Sequence, residues 1–349
     1  MNGFEGAKVL LVGGAGFVGS NLTKTLLTRA VAKVHVVDNL LSAERVNVPL
    51  DERVAFTEAS VTDDKVLSAL QDEYDYVFHL ATYHGNQSSI HSPLDDHENN
   101  TLTTLKLYER IKEFKNVKKV VYSSAGCSVA KKTFETAQAT AEEDVVSLRQ
   151  DSPYSMSKIF GEFYSLYYHK QHALPTVRAR FQNVYGPGEI LGAGKWRGTP
   201  ATVWRNVIPT FIFRALRKLP LVVENNGIAT RDFIYIDDIV EGLMRCALVG
   251  KPGEVYNLAS GVETSIMDLA LTINQMTHNF SPIEFLPRRE WDTSGKRFGS
   301  TLKSSHDLCF SATTSINKGL LRTVKWTEEN LVLIESTMKR HSAHLKLPL

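Results

Sequence analysis

Tyr154 and Lys158 stand four residues apart in Ser152-Pro153-Tyr154-Ser155-Met156-Ser157-Lys158. On a helix that spacing puts both side chains on one face, so an ammonium can sit close to a phenol. A tyrosine near pKa 10 is a poor base at neutral pH. A neighbouring cation stabilises the phenolate and shifts the group toward the working range. By itself this pair is common by chance, and its meaning depends on what surrounds it.

A second chemical signal lies far upstream. Gly13-Gly14-Ala15-Gly16-Phe17-Val18-Gly19 places glycines three apart, directly after the apolar run 9–12 (VLLV). Gly13 allows a sharp turn, Gly16 lets backbone N–H groups approach a pyrophosphate, and Gly19 lets a helix pack close to a sheet. The helix N-terminus then faces that pyrophosphate. A second apolar run, 34–37, ends in Asp38, about 20 residues past the glycines, where a carboxylate can bond a ribose 2′-hydroxyl. Asp38 would repel a 2′-phosphate, and no arginine follows it until Arg45. The pattern selects NAD over NADP as cofactor.

These groups need a scaffold of alternating strands and helices. Residues 54–56 read as a third strand, 76–80 (YVFHL) as a fourth and 117–122 as a fifth. The third runs into Ser60 and Val61, one polar and one apolar group suited to an adenine edge. The fourth opens into Ala81-Thr82-Tyr83-His84, at the carboxyl end where open parallel sheets bind ligands. Residues 95–114 carry helical periodicity through Leu102, Leu105, Leu107 and Ile111, with Asn100 near the start and turned toward the cleft. The fifth strand ends in Ser123-Ser124-Ala125-Gly126-Cys127-Ser128, and 178–184 (RARFQNV) reads as a sixth. The fold expected is α/β, a doubly wound parallel sheet of Rossmann type with a smaller, discontinuous α/β substrate domain.

Composition sets the outer bounds. The 349 residues exceed the ~250–300 at which single cores divide, so two domains sharing a cleft are expected. Their division falls at 1–183 plus 231–259 for the dinucleotide domain, and 184–230 plus 260–349 for the substrate domain. A net charge of +2 gives no reason to expect nucleic acid or membrane as partner. No apolar run is long enough to span a bilayer or serve as a signal peptide. Cys127, Cys246 and Cys309 have neither metal-ligand nor disulfide spacing, which fits a reducing cytoplasm and no bound metal.

Taken together, GGAGFVG, VVDN, HLAT, ENNT, YSSAGC, SPYSMSK, RFQNVYGPG, TRDFIYIDDI and RREWD resemble the extended short-chain dehydrogenase/reductases of the NAD-dependent nucleotide-sugar epimerase/dehydratase family. The likeness covers roughly residues 8–326. It implies that Tyr154 takes a sugar hydroxyl proton while hydride passes to NAD, and that Lys158 also holds the nicotinamide ribose. It places Gly13, Gly16, Phe17, Val18, Asp38 and Asn39 on the cofactor. Ser60, Val61, Leu80, Ala81, Thr82, Asn100, Ser123 and Phe181 fall on it too. Asn183, Arg231 and Arg289 are implied for a nucleotide-diphosphate sugar, the two arginines gripping its diphosphate. Arg297 is a further candidate, and His84, a lone histidine in the loop after the fourth strand, is another candidate for the substrate. The long segment 189–206, with Lys195, Trp196, Arg197 and Arg205, is either a surface excursion or a lid whose cations meet phosphates or a sugar carboxylate. The helices after Asn99 and Tyr154 carry apolar stripes, Leu102/Leu105 and Phe160/Phe163/Tyr167, that relatives pair as a four-helix bundle in a homodimer.

The chain departs from that pattern at one place. Relatives carry Ser or Thr just past the fifth strand to hydrogen-bond the reacting oxygen. Ala125 stands there in an ungapped match, so Ser124, or Ser123, would have to supply the hydroxyl. Gly126 and Cys127 replace the Asp-Glu pair of dehydratases and the Glu of decarboxylases. The thiol resembles the Ser-Ala-Cys element of GDP-mannose 3,5-epimerase, in which cysteine is an acid/base. That relative's partner lysine, before a proline, is matched here by Val207 near Pro209. The expected activity is an NAD-dependent nucleotide-sugar epimerase, with a dehydratase or reductase, or a silent NAD-sensing protein, as alternatives.

Overall fold

The computed structural model describes residues 3–293 and 295–345. Seven parallel strands form its main sheet, in the order Val255–Leu258, Thr176–Phe181, Lys119–Ala125, Tyr76–His79, Lys8–Val12, Lys33–Asp38, Val54–Glu58. Both faces are covered, which is why these strands read as continuous apolar runs. Along Lys8–Val12, Val9 and Leu11 enter one core layer while Leu10 and Val12 enter the other. The first layer is shared with helices Phe17–Leu27 and Ile236–Leu248, the second with Thr103–Ile111 and Pro153–His172. This is the doubly wound Rossmann-type α/β fold. The chain starts at the centre, walks to one edge, and returns on the other side of its first strand. The crevice above that reversal, between the ends of Lys8–Val12 and Tyr76–His79, is where such sheets bind ligands.

Three boundaries differ from those read in the sequence. The fifth strand is Lys119–Ala125, not 117–122, so Ser123, Ser124 and Ala125 still belong to its ladder and alternate between faces. The run 178–184 is two strands. Thr176–Phe181 stays in the main sheet, while Asn183–Tyr185 pairs parallel with Thr230–Tyr235, itself antiparallel to Glu263–Ser265. Gln182 between them lies so close to Gly126 that a Cβ there would be 2.3 Å from its Nε2. The helix expected over 95–114 is a short Pro93–Asp96 turn, a π-helical His97–Leu102 and an α-helical Thr103–Ile111. Its wider middle turn carries Asn100 inward, to 2% exposure.

The segment 189–206 is no surface excursion. Ile190, Leu191, Ala193 and Val203 are buried against Phe213, Ile334 and Met338. The segment packs as a cover over the loop after Lys33–Asp38, held by Arg197 Nη1 on the Leu41 carbonyl and Arg205 Nη2 on that of Ser42. Among the described residues, no helix is long and apolar enough to cross a membrane.

Candidate functional site

One cavity of about 380 Å³ opens above the sheet's reversal point. Gly13, Gly16, Phe17, Val18, Asp38, Asn39, Ser60, Val61, Leu80, Ala81 and Thr82 line it. So do His84, Ser123, Ser124, Cys127, Tyr154, Lys158, Phe181, Asn183, Arg289 and Arg297. A second cavity of about 630 Å³ adjoins it, sharing Asn183, Arg289 and Arg297 and adding Arg231. Of the residues implied for cofactor or sugar, Asn100 lines neither, and of the cations on the 189–206 segment Arg205 lines both while Lys195 and Arg197 line neither. The Asn100 side-chain oxygen accepts from Tyr83 N at 2.8 Å and its amide donates to Asp96 at 2.7 Å, so it fixes the loop behind the wall.

The glycine turn is built for close approach. Gly13 has φ +84°, and a Cβ there would lie 2.3 Å from Ala81 N. One at Gly19 would lie 2.5 Å from Gly13 O, so the helix packs directly on the turn. Asp38 closes the second strand and accepts from Ala15 N and Leu40 N, both at 2.9 Å. Burial raises its pKa, and those backbone donors oppose the rise. Arg45, the first cation after it, stacks 4.5 Å over Phe56.

Tyr154 and Lys158 lie in the first turns of Pro153–His172, where Ser152 caps the helix by accepting from Ser155 N. Lys158 is 3% exposed, donates to the Ser123 carbonyl at 2.9 Å and sits 5.8 Å from the Tyr154 ring centre. Burial lowers its pKa to about 8, opposed by Asp96 and Cys127. The Tyr154 phenol is pushed up, by burial first and then by Cys127 and Asp96. His84 faces Tyr154 edge-on at 6.5 Å; burial, then Arg205, Arg197 and Lys158, bring it down to about 3, so it stays neutral.

The serines at the fifth strand's end are already used. Ser124 Oγ donates to Glu162 at 2.5 Å, and Arg180 grips that carboxylate through Nε at 2.8 Å and Nη2 at 2.9 Å. Ser123 Oγ donates to the His79 carbonyl at 3.0 Å. The expectation that Ser124 supplies the reacting oxygen's hydrogen bond therefore meets a hydroxyl committed to a buried ion pair. The shifted strand end is the reason, since it turns Ser124 toward the Pro153–His172 helix. Glu162 lies on the helix beyond the SPYSMSK motif, and Arg180 opens the RFQNVYGPG motif, but nothing in the sequence signalled that the two would pair.

Arginines gather at the second cavity. Arg231 donates to the Thr230 and Gly295 carbonyls at 2.7 and 2.6 Å, and burial, then Arg297, brings its pKa down to about 9. Arg289 pairs with Glu224 at 2.6 Å. The covering segment adds Glu189, which the sequence reading did not single out. Burial lifts its carboxyl to about 7 while Asn206 donates to it at 2.6 Å. Among the described residues no group of three or more His, Cys, Asp or Glu is placed to hold a metal ion.

The profile of the NAD dependent epimerase/dehydratase family matches residues 9–259, which span the fingerprint, the Tyr154–Lys158 pair and the strand ends between them. The chain belongs to this family. Among solved structures, the Bordetella bronchiseptica enzyme WbmF in complex with NAD+ and UDP is 63% identical, with TM-score 0.89 and 99% of each chain covered. An epimerase from Methanothermobacter thermautotrophicus is 37% identical, with TM-score 0.87 and 96% of each chain covered. Among curated proteins, the UDP-N-acetyl-alpha-D-glucosaminuronate decarboxylase of Bacillus cytotoxicus is 28% identical over 328 residues, covering 92% of this chain and 98% of its own. As in other members of the NAD-dependent epimerase/dehydratase family, the cofactor is NAD. The residues fit it: the glycine turn leaves room for a pyrophosphate, and Asp38 closes the second strand facing the same cavity.

Proposed function

We propose that this protein is a nucleotide-sugar epimerase working through a transient 4-keto sugar, with a UDP-sugar as substrate. The observation that carries this is the pair of half-buried Tyr154 and buried Lys158, set in one cavity with the dinucleotide fingerprint and with no acidic pair beside it. The carboxylates lining that cavity, Asp38 and Glu189, come from the second strand's end and the 189–206 cover. Elimination or decarboxylation on this scaffold calls for acidic groups where Gly126 and Cys127 stand. Uridine is favoured because WbmF binds UDP and the Bacillus cytotoxicus relative acts on a UDP-sugar.

Lys158 stabilises the Tyr154 phenolate, which takes the proton of the C4 hydroxyl and becomes a neutral phenol. NAD held by the Gly13–Gly19 turn and Asp38 would supply a hydride acceptor and donor for C4, so no net redox change would result. Residues 1–183 plus 231–259 are assigned to the cofactor domain and 184–230 plus 260–349 to the sugar-nucleotide domain, with Arg231 reaching from the first domain into the second cavity. Arg231, Arg289 and Arg297 meet its diphosphate, for which guanidinium forks are suited. The deciding experiment is incubation with UDP-hexoses, UDP-N-acetylhexosamines and UDP-hexuronates, followed by NMR of the products. Inverted sugars with an intact C6 support the reading; loss of water or carbon dioxide refutes it. Tyr154→Phe keeps NAD and loses about 10²–10⁴-fold in turnover; activity within tenfold of wild type removes Tyr154 from its role.

The same helix supports a homodimer. Met156, Phe160, Phe163 and Tyr167 on Pro153–His172 are 44, 49, 59 and 52% exposed, a contiguous apolar face that calls for a partner. Pairing it with its own copy, alongside the His97–Leu102 and Thr103–Ile111 stretch, gives a four-helix bundle. The free thiols of Cys127, Cys246 and Cys309 fit a cytoplasmic location.

A further inference from the structure

Deprotonating a hydroxyl while its carbon is oxidised needs more than a base. The oxygen gains carbonyl character, and a donor aimed at it stabilises the transition state. The strand end beside Tyr154 offers no such donor: Ala125 has no hydroxyl, Ser123 donates to the His79 carbonyl, and Ser124 donates to Glu162. From the neighbouring strand, the loop after Tyr76–His79 brings Thr82 into the same cavity. Its Oγ1 is out of solvent with no hydrogen-bond partner in the protein. It nonetheless lies near enough to the Tyr154 phenol to favour its phenolate form as a donor, although no hydrogen bond of good distance and angle joins the two. Buried hydroxyls are satisfied in nearly all proteins, and one left open inside a ligand cavity beside the base is set for a ligand atom.

We propose that Thr82, from the loop after the fourth strand, supplies the hydroxyl that hydrogen-bonds the reacting sugar oxygen. This inference rests on the epimerase reading. As Tyr154 takes the hydroxyl proton and the carbon gives up hydride, Thr82 donates its O–H to the oxygen becoming a carbonyl. No bond of Thr82 is made or broken. On the return step the same donor holds the carbonyl while Tyr154 gives the proton back. The donor has changed strands: it stands beside the Gly13 turn rather than at the end of Lys119–Ala125.

The test compares wild type, Thr82→Val, Thr82→Ser and Tyr154→Phe, all loaded with NAD. Valine keeps threonine's shape, and since Oγ1 makes no well-formed hydrogen bond in the protein the fold loses little. Two quantities are read with UDP-hexoses, UDP-N-acetylhexosamines and UDP-hexuronates: affinity by calorimetry, and the single-turnover rate of the reduced-nicotinamide band as a function of pH. Loss of a hydrogen bond to a group carrying charge predicts that Thr82→Val slows that rate about 10–100-fold. Affinity should stay within about threefold, and the rise of rate with pH should move upward. Thr82→Ser should stay within about threefold of wild type. A Thr82→Val rate within threefold of wild type overturns the proposal, and so does a Thr82→Ser as slow as Thr82→Val. Failure of the underlying reading looks different: Tyr154→Phe then turns over like wild type, or wild type reduces its NAD with none of these sugars.

Discussion

Replacing Lys158 by Met probes the electrostatics on which the proposed chemistry depends. Lys158 Nζ lies 5.8 Å from the Tyr154 ring centre in a setting where the lysine is 3% exposed. At an effective dielectric of about 20, two unit charges that far apart interact by roughly 3 kcal/mol. That is about two pKa units on the phenol. Burial already holds the phenol up, and its base form exists only above its pKa. Removing the cation therefore moves the rising limb of the pH–rate profile about two units higher. At neutral pH the hydride step should slow by about 100-fold and partly recover as pH rises. The wild type should also decline above about 8, where the buried lysine loses its proton. The Met variant lacks that decline. Loss of the 2.9 Å bond to the Ser123 carbonyl is offset by removing a buried charge, so folding should change little. The assay is single-turnover reduction of bound NAD by the active UDP-sugar across the pH range. A Lys158→Met rate within tenfold of wild type at neutral pH refutes the argument. A loss with an unshifted profile does so too, leaving Lys158 only to position the cofactor.

Gly13→Ala forces a Cβ to 2.3 Å from Ala81 N at φ +84°, where neither backbone can yield. The backbone conformation alone costs about 1–3 kcal/mol, so a lowered urea midpoint and loss of co-purifying NAD are expected; wild-type values for both would contradict the close-approach reading. Phe160→Glu with Phe163→Glu should give a folded monomer by light scattering, and a wild type that is itself monomeric at micromolar concentration ends the dimer proposal. Cys127 shares the cavity with Tyr154, so turnover in heavy water should place deuterium on C3 or C5, where a carbonyl acidifies the C–H, and Cys127→Ala should stop that exchange while C4 oxidation persists. Products without carbon-bound deuterium would make Cys127 a packing residue of a simple 4-epimerase.

Local covalent facts made most of the cofactor half legible in the sequence. Only glycine fits a turn at φ +84° pressed on another backbone, and a strand buried on both faces must be apolar along its length. The fingerprint, Asp38, and the four-residue spacing of Tyr154 and Lys158 follow from such constraints. The sequence could not say where the fifth strand stops, because Ser123 and Ser124 read equally well as loop or ladder. Ending the strand at Ala125 rather than at residue 122 turned Ser124 toward Glu162 and Arg180, partners supplied by elements distant in the chain. The same holds for Asn100, drawn behind the cavity wall by a π-helical turn that no residue type announces. It holds again for 189–206, a cover only because Phe213, Ile334 and Met338 arrive beneath it. The chemistry of a residue is carried by its side chain, but which neighbour that side chain meets is set by pairing across the chain. That is why Tyr154 could be read from sequence while the unpartnered hydroxyl of Thr82 emerged only from the fold.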